Sequence, residues 1–524
     1  MRVMNMKKAI SQTQLLLAAM LTALLLAPAA FAAAPGITGP TFNLTARAEY
    51  ITQPDGSSVY SWGYGCNGAP TGFAPSAISG NFCNNMQVPG PTLIVAQGAT
   101  VTVNLTNNLP GAAGNTSILF PGFNVTSSTG AGSARGLLTQ EATPGGTVTY
   151  TFTATTPGTR SYYSGTQEDL QVEMGLYGAV IVIPSTIPPD CTASVHSSNL
   201  LAQGIHGEGD FRLAAAAYNH AGACYDREYL FQFSEMDPRI HREAEQQSSR
   251  ACTGCMTVAT EPYIPGYFMI NGRSMPDDMD PNYAPQYPHQ PYNGNPHMHP
   301  GELVLLRIIG QGRWQHPFHE HGNHVRVLAR DGNLILSTPN PADPNLAGPL
   351  LFTTTTTPGQ TIDGIYYWTG KGLNWDPYGH NAASGSTLPC TPDANGYNTA
   401  GTAYQAINYF EWCQDHNKPL QATPVGDVAG GGPATLPDPN IFANGAWYGG
   451  SPYLGVDATV RAVGSTGTTP PSGTVANSPT GEAGFAFMWH SHNEREITTN
   501  NIFPGGMMMM MLVDSREFVI NESN

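Results

Sequence analysis

Two histidine-rich motifs carry the most direct chemistry in this sequence. Residues 316–321 read His-Pro-Phe-His-Glu-His, and residues 490–492 read His-Ser-His. On a strand, alternate residues face the same side, so the paired histidines of each motif should point together. Imidazole is a ligand for copper, zinc and nickel, so four converging rings would hold one such ion, and two rings with water would form a labile site. The metal ligands that this spacing predicts are His319, His321, His490 and His492.

Other side chains near these motifs widen the ligand set. Glu494 and Glu496 follow the second motif closely and are candidate oxygen ligands. The methionine run at residues 507–511 offers soft sulfur ligands for Cu(I), but core filling by these adaptable side chains is favoured. Residues 297–299 (His-Met-His) form a further triplet in a Pro/Asn-rich loop, where a packed or surface position is favoured over metal binding.

Short strands separated by turn residues must position these side chains. Residues 147–152 alternate apolar and polar side chains, as a half-buried strand does. Residues 178–183 are continuously apolar, which is typical of a strand covered on both faces. Residues 302–309 and 323–329 are the clearest strands of the second half, and residues 239–249 suggest a short helix or a polar loop. The pattern predicts an all-β protein.

Composition agrees with that fold class and excludes some partners. Charged residues make up 11% of the 524 residues, while 59 glycines and 44 prolines indicate many turns. The net charge of −16 makes nucleic acid and anionic membranes poor partners. A Gly/Pro/Asn/Thr-rich insert at about residues 374–481 is too long for a structureless loop in a compact domain. Part of it should be ordered, and Cys390 and Cys413 are a candidate clamp.

The first residues have the pattern of an export signal. A basic stretch ending at Lys8 precedes apolar residues 15–26, and Ala-Phe-Ala at residues 30–32 is a typical cleavage site. We therefore predict a signal peptide at residues 1–32 and a secreted protein, in the periplasm, outside the cell or at its surface. The sequence has no second apolar run long enough to span a membrane.

Eight cysteines, an even number, suggest disulfides in an exported chain, four at most. Cys252-Thr-Gly-Cys255 has the spacing of a redox or zinc motif, but no second pair of that spacing accompanies it. A small disulfide-closed loop or two separate bridges are favoured for these two residues. The sequence leaves the connectivity open.

Several stretches resemble the multicopper oxidases. Residues 87–110, which read QVPGPTLIVAQGATVTVNLTNNLP, resemble the opening of a cupredoxin domain of that family, and residues 141–185 resemble its end. Residues 267–277 and 301–332 resemble the copper-bearing domain. Together with the His-Ser-His segment, the resemblance covers most of the chain outside the insert.

The resemblance implies incomplete copper sites. In the family, four His-x-His motifs bind a three-copper cluster, and two histidines and a cysteine hold a type 1 copper. Both motifs of the first half are lost here, because residues 116–122 read TSILFPG and residues 162–165 read YYSG. Ser491 occupies the cysteine position, and the second type 1 histidine would lie near Glu496. By resemblance His316 is the remaining type 1 ligand, and the other four predicted ligands are half of the cluster.

The resemblance also implies two cupredoxin-like Greek-key β-sandwich domains, at residues 38–190 and 225–515, with a linker at residues 191–224. A serine hydroxyl is neither a soft ligand nor an anion at neutral pH, so four-electron reduction of oxygen is not expected. We expect a secreted copper-binding protein with altered or residual oxidoreductase activity, with zinc or no metal as the alternatives to copper. The alternative function is a non-catalytic extracellular, cell-surface or filament protein, with self-association or matrix partners. No substrate is indicated.

Overall fold

The computed structural model describes residues 34–76, 82–189, 191, 210–299, 301–340, 342–343, 345–368, 391–392, 394, 450–454, 484–513 and 520. The predicted signal peptide and the candidate clamp of Cys390 and Cys413 lie outside these residues, as does most of the long insert. Among the residues described, no helix combines the length and the apolar character that crossing a bilayer requires.

The first half of the chain folds into two facing sheets, as the cupredoxin resemblance implies. One sheet has the strand order β11-β12-β5-β1-β4 and the other β3-β2-β6-β10-β7, while β8 pairs with β9. Parallel pairs (β1 with β5, β5 with β12, β2 with β6) occur beside antiparallel ones. The strands are β1 (Gly36–Thr38), β2 (Thr41–Thr52), β3 (Ser58–Cys66), β4 (Phe73–Ala74), β5 (Leu93–Ala96), β6 (Thr100–Asn107), β7 (Thr126–Ser127), β8 (Ser133–Arg135), β9 (Gln140–Ala142), β10 (Thr147–Thr153), β11 (Gly158–Tyr163) and β12 (Tyr177–Ile183).

The second half forms another pair of sheets. One has the order β14-β13-β16-β22-β18-β19 with β20 beside β18, and the other has the order β15-β25-β24-β17-β21 with β23 beside β24. The strand β23 comes from the long insert. The strands are β13 (Arg227–Met236), β14 (Tyr267–Ile270), β15 (His297–Met298), β16 (Leu303–Gly310), β17 (His316–Glu320), β18 (Val325–Arg330), β19 (Asn333–Leu334), β20 (Leu350–Leu351), β21 (Thr353–Thr356), β22 (Thr361–Tyr367), β23 (Gly450–Leu454), β24 (Gly484–Ser491) and β25 (Met508–Val513).

Helices are short throughout the described part of the chain. They are α1 (Glu168–Gln171), α2 (Pro238–Ser248) and 3₁₀ turns at Gly111–Ala113, Ala221–Ala223, Asp277–Met279 and Glu494–Ile497. The polar segment that suggested a helix or a loop is the helix α2. It begins with a proline at its first position, and the Asp237 carboxylate accepts a hydrogen bond from the backbone N–H of Arg239 at 3.0 Å.

Burial of β10 and β12 explains their different hydrophobic patterns. In β10, Val148, Tyr150 and Phe152 face the core of the first sandwich, while the threonines between them are partly exposed. In β12, Val180 faces that same core, whereas Ile181 packs against Leu230 of the second sandwich. The continuous apolar run of β12 is therefore required because one of its faces belongs to the interface between the two sandwiches.

Buried charges reinforce this interface. The Asp363 carboxylate of β22 accepts hydrogen bonds from the backbone N–H of Thr159 at 3.0 Å and from its hydroxyl at 2.6 Å. The Arg307 guanidinium donates to the same Thr159 hydroxyl at 3.0 Å and to Glu228 at 2.8 Å. All four side chains are buried, so the two sandwiches are joined by polar contacts as well as by apolar packing.

Three disulfides lie within the described residues: Cys66–Cys83, Cys191–Cys224 and Cys252–Cys255. The Cys-x-x-Cys segment therefore forms a small closed loop, one of the two alternatives that the sequence favoured. The first two bridges span 17 and 33 residues, whereas the third spans only three.

Candidate metal centre

Two neighbouring strands bring the histidine motifs together. Strands β17 and β24 are antiparallel, with His319 directly opposite His490 and Phe318 opposite Ser491. Because side chains alternate across a strand, the histidines project to one side of the sheet and Phe318 and Ser491 to the other. The four rings form a cluster, defined by His319, His321, His490 and His492. Between ring centroids, neighbouring members are 4.7–5.6 Å apart.

The cluster runs from the protein interior to the surface. His319 is 1% exposed and His490 is 8% exposed, while His321 is half-buried and His492 is exposed. Burial, followed by repulsion from the neighbouring His321, lowers the pKa of His319 to about 4. Burial also lowers the pKa of His490. These two imidazoles are therefore neutral near pH 7, which is the form that binds metal ions.

Hydrogen bonds orient the rings. Nδ1 of His490 lies 2.7 Å from the backbone carbonyl oxygen of Ser491, so this nitrogen carries the proton and donates it. Nε2 of the same ring is then an acceptor and lies 3.2 Å from Nε2 of His321. Nδ1 of His319 lies 2.9 Å from the Thr353 hydroxyl. A backbone carbonyl that fixes one imidazole nitrogen and aims the other is a typical arrangement around metal-binding histidines.

The donor set suits a borderline metal ion, although the rings do not surround a common point. Metal–nitrogen bonds of 2.0–2.1 Å at tetrahedral angles separate two nitrogens by about 3.4 Å, close to the 3.2 Å between His321 and His490. In the part of the chain that the structure covers, however, no three or more His, Cys, Asp or Glu side chains are placed to hold a metal ion. Two of the four rings fit as they stand, and closing the site requires rotation of the others.

His316 lies in different surroundings from the cluster. Its Nε2 is 2.9 Å from Oε2 of Glu235, and its Nδ1 is 2.9 Å from Oε2 of Glu496. All three side chains are buried, with His316 at 0% exposure. Both ring nitrogens must carry protons to donate to two carboxylates, so His316 is an imidazolium. The resemblance grouped it with the metal ligands, but the structure pairs both of its nitrogens with carboxylates.

Glu496 and Ser491 complete this buried network. The Ser491 hydroxyl donates to Oε2 of Glu496 at 2.5 Å, and the Asn493 amide donates to Oε1 at 2.9 Å. Glu496 thus faces His316, whereas Glu494 is exposed. Neither residue supplies an oxygen to the four-ring cluster as placed. A carboxylate and a hydroxyl stand where the resemblance expects the second histidine and the cysteine of a type 1 copper site.

Glu235 extends the network to the first sandwich. Its Oε1 accepts from the backbone N–H groups of Arg313 at 2.6 Å and Trp314 at 2.9 Å, and lies 3.2 Å from the Tyr263 hydroxyl. That hydroxyl donates to Oε2 of Glu173 at 2.5 Å, a residue of the first half whose pKa burial raises to about 8. Sequence reasoning missed Glu235, because nothing in its local sequence links it to His316, 81 residues away.

In the first sandwich, packed side chains occupy positions where the resemblance expects histidines. Gly165 lies against Leu119, and a Cβ added at Gly165 would be only 2.7 Å from Cγ of Leu119. Tyr163, half-buried, packs near Gly359 of the second sandwich. These contacts leave no room at residue 165 for the side chain of a metal ligand.

The remaining candidate residues belong to the interior of the second sandwich. Met507, Met509 and Met511 are fully buried in its hydrophobic core, in agreement with core filling. The His-Met-His triplet is also buried, and β15 within it pairs with β25. The structure brings neither group into the four-ring cluster.

Known proteins match this chain in two segments. Residues 78–186 and residues 259–363 each match a family described as multicopper oxidase. An L-ascorbate oxidase from Brassica rapa subsp. pekinensis is 38% identical over 98 residues, 19% of this chain and 16% of that protein. The laccase abr2 of Aspergillus fumigatus is 34% identical over 117 residues, 22% of this chain and 18% of that protein. The matches thus span less than a fifth of the length of these relatives.

Solved structures resemble the chain over a larger share of its length. The match to the multicopper oxidase mgLAC covers 91% of this chain and 86% of that chain, with 16% identity and a TM-score of 0.44. The match to a blue copper oxidase from Nitrosomonas europaea covers 90% of this chain and 85% of that chain, with 15% identity and a TM-score of 0.43.

The network around His316 predicts a pH dependence of stability. Burial acts to lower the pKa of His316, but hydrogen bonds and charges from Glu235 and Glu496 outweigh it and raise the pKa to about 9, from an ordinary 6.5. The folded state therefore holds a proton that the unfolded chain releases above pH 6.5. This stabilisation, roughly 3 kcal/mol, should be complete below pH 6.5 and lost as pH rises through about 9.

Urea unfolding measured between pH 6 and pH 10 checks this expectation. His316→Gln should lower the free energy of unfolding by about 3–5 kcal/mol near neutral pH, because two buried carboxylates lose their cation. In the variant, the free energy of unfolding should also no longer decline between pH 6.5 and 9. Ser491→Ala is the matched control. It removes the hydrogen bond to Glu496 and the one from the backbone N–H of Asn493, and should cost only about 1–2 kcal/mol. Parallel pH profiles for the wild type and His316→Gln would contradict the assignment.

Restoring the thiol should not restore a blue copper site. A type 1 centre needs two histidine nitrogens and a thiolate, but in Ser491→Cys the available neighbours are Glu496 and the protonated His316. We expect no intense visible charge-transfer band after copper loading, and a spectrum in electron paramagnetic resonance that matches that of Ser491→Ala. A stable blue protein with one equivalent of copper would refute this reading of the network.

Proposed function

The chain belongs to the multicopper oxidase family, and from that premise we propose that it binds one copper ion at the four-histidine cluster and does not perform four-electron oxygen reduction. The observation that carries the proposal is the cluster itself. Two strands bring four imidazole rings to mutual centroid distances of 4.7–5.6 Å, and the lowered pKa values of His319 and His490 keep these rings neutral. Neutral imidazoles are good ligands for Cu(II) and also for zinc.

Two features argue against an oxidase of the usual family type. The electron-entry site is occupied by the His316 imidazolium and its two carboxylates, which leave no nitrogen of that ring for a metal. The positions where the resemblance expects the first-half ligands of a three-copper cluster include Leu119 and Gly165, which pack against each other. A copper ion in the four-ring cluster would therefore have neither the electron relay nor the neighbouring metals of a three-copper centre.

The chain's own residues define what such a site would do. His319, His321, His490 and His492 would hold the ion, and bound copper supplies Lewis acidity and one-electron redox chemistry. The carbonyl of Ser491 keeps the proton of His490 on Nδ1. His492 is exposed and Phe352, whose ring is 5.7 Å from that of His319, is 53% exposed. The ion would thus be open to solvent on one side and backed by the sheet on the other.

Metal analysis of the purified full-length protein tests the proposal. After loading with Cu(II) and removal of excess ion, we expect about one tightly bound equivalent and the signal of a nitrogen-ligated Cu(II) in electron paramagnetic resonance. His319→Ala combined with His492→Ala should abolish binding. His324→Ala, which removes a partly exposed histidine of the same segment, should leave it unchanged and serves as the matched control.

Less than half an equivalent of tightly bound copper in the wild type would refute the copper assignment and favour a non-catalytic protein on this scaffold. Full occupancy in the double variant would place the site elsewhere in the chain. If zinc binds with one-to-one stoichiometry and copper does not, the cluster remains the site but the metal is wrong.

We also propose that the protein works outside the cytoplasm. The basic and apolar pattern of residues 1–32 supports this, as do the three disulfides among the described residues. N-terminal sequencing of the protein recovered from its native cells should begin directly after Ala32. A mature chain that still begins at Met1 would contradict export by this signal.

A further inference from the structure

We propose that the Cys252–Cys255 disulfide is a thiol-exchange site that reacts with small cationic thiols. Cys252 and its neighbours Thr253 and Gly254 are exposed. By contrast, the other two bridges among the described residues each contain buried cysteines: Cys66 at 5% exposure, and Cys191 and Cys224 at 5% and 2%. A thiolate must reach a sulfur atom to open a disulfide, so exposed bridges are the reactive ones.

The short span of this bridge also indicates that it contributes little to the stability of the fold. A disulfide stabilises a fold mainly by shortening the loops of the unfolded chain, and this effect grows with the number of residues enclosed. The Cys252–Cys255 bridge spans three residues, against 17 and 33 for the other two. It therefore contributes least to the stability of the fold, and opening it costs the least.

The backbone holds the loop in place independently of the bridge. The N–H of Gly254 donates to the carbonyl of Gly111 at 2.9 Å, and the N–H of Met256 donates to the carbonyl of Ala112 at 3.0 Å. The Arg250 guanidinium donates to the Cys255 carbonyl at 3.2 Å. Cys252 is the more exposed cysteine of the bridge, so its sulfur is the one attacked and Cys255 is the leaving group. Because these backbone hydrogen bonds do not involve the bridge, the reduced loop should keep its position.

An acidic cavity adjoins the loop and indicates the charge of the co-reactant. The cavity has a volume of about 750 Å³ and Thr253 and Gly254 line it. Its other lining side chains include three carboxylates and two exposed leucines, namely Glu141, Glu168, Asp169, Leu137 and Leu138. Opposite charge raises the local concentration of a ligand, and like charge lowers it. Aminothiols and basic thiol peptides should therefore react faster than anionic thiols.

The exchange balances with two thiols as the reductant. The thiolate of the first molecule attacks Sγ of Cys252 and forms a mixed disulfide, while the bond to Cys255 breaks and Sγ of Cys255 takes a proton from water. A second thiolate attacks the outer sulfur of the mixed disulfide and releases Cys252, which is protonated in turn. Two thiols lose two electrons and become one disulfide, and the protein bridge gains them as two thiol groups.

Timed reduction of the native full-length protein tests the proposal, with a chelator present so that bound metal plays no part. Samples in cysteamine or in mercaptoacetate are quenched with acid, alkylated and digested with trypsin. Cleavage after Arg250 and Arg273 places both cysteines of this pair in one peptide. With cysteamine, we expect this bridge to open at least about tenfold faster than Cys66–Cys83 and Cys191–Cys224. Equal rates for all three bridges would overturn the proposal.

The charge preference has its own controls. The oxidised synthetic peptide of residues 251–273 has no cavity beside it and gives the intrinsic ratio of the cysteamine and mercaptoacetate rates. The folded protein should exceed that ratio several-fold at low salt, and salt should reduce the excess. Glu168→Gln combined with Asp169→Asn, two exposed positions, should lower the ratio of cysteamine to mercaptoacetate rates in the folded protein towards the peptide value. If the protein and the peptide give the same ratio, the cationic preference is refuted.

Discussion

The buried ion triad of His316 with Glu235 and Glu496 is the interaction on which this half of the molecule depends. Two carboxylates cannot remain charged in a buried site without a cation between them, and the His316 ring meets both at 2.9 Å. The triad connects β17, β13 and the 3₁₀ turn after β24. It thereby secures the same strands that present the four-histidine cluster, and Tyr263 and Glu173 extend the contacts to the first sandwich.

This arrangement changes the meaning of Ser491. A single Cys-to-Ser replacement in an otherwise intact copper site would leave two histidines without their metal. Here the hydroxyl of Ser491 instead donates to Glu496, which neutralises His316. The region where the resemblance expects a type 1 copper is a network of hydrogen-bonded protein groups, in which His316 and Asn493 also contact carboxylates. The packing of Leu119 against Gly165 in the first sandwich likewise leaves no space for a larger side chain at residue 165.

Much of the fold was predictable because each pattern has a local cause. The alternation in β10 and the continuous apolar run of β12 marked strands with one and two covered faces, and the methionines at 507, 509 and 511 lie in the core. The common orientation of the two histidines within each His-x-His motif also followed from strand geometry. The partners of His316 did not, because Glu235 is distant in sequence and Glu496 looked like an oxygen ligand for the cluster. The pairing of Cys252 with Cys255 remained one of two alternatives until the fold was known.

By itself the sequence determined the all-β class, the family resemblance and the residues available for a metal, since these follow from side-chain chemistry and from periodicity along one strand. Only the tertiary structure decided which residues act together. In the structure four imidazoles lie in one cluster, His316 lies in an ion triad, and an exposed disulfide lies beside an acidic cavity. Those outcomes depend on which strands become neighbours and on which charges are buried together. The physical reason is that burial and pairing of charges are properties of three-dimensional contact between distant segments, which local sequence does not record.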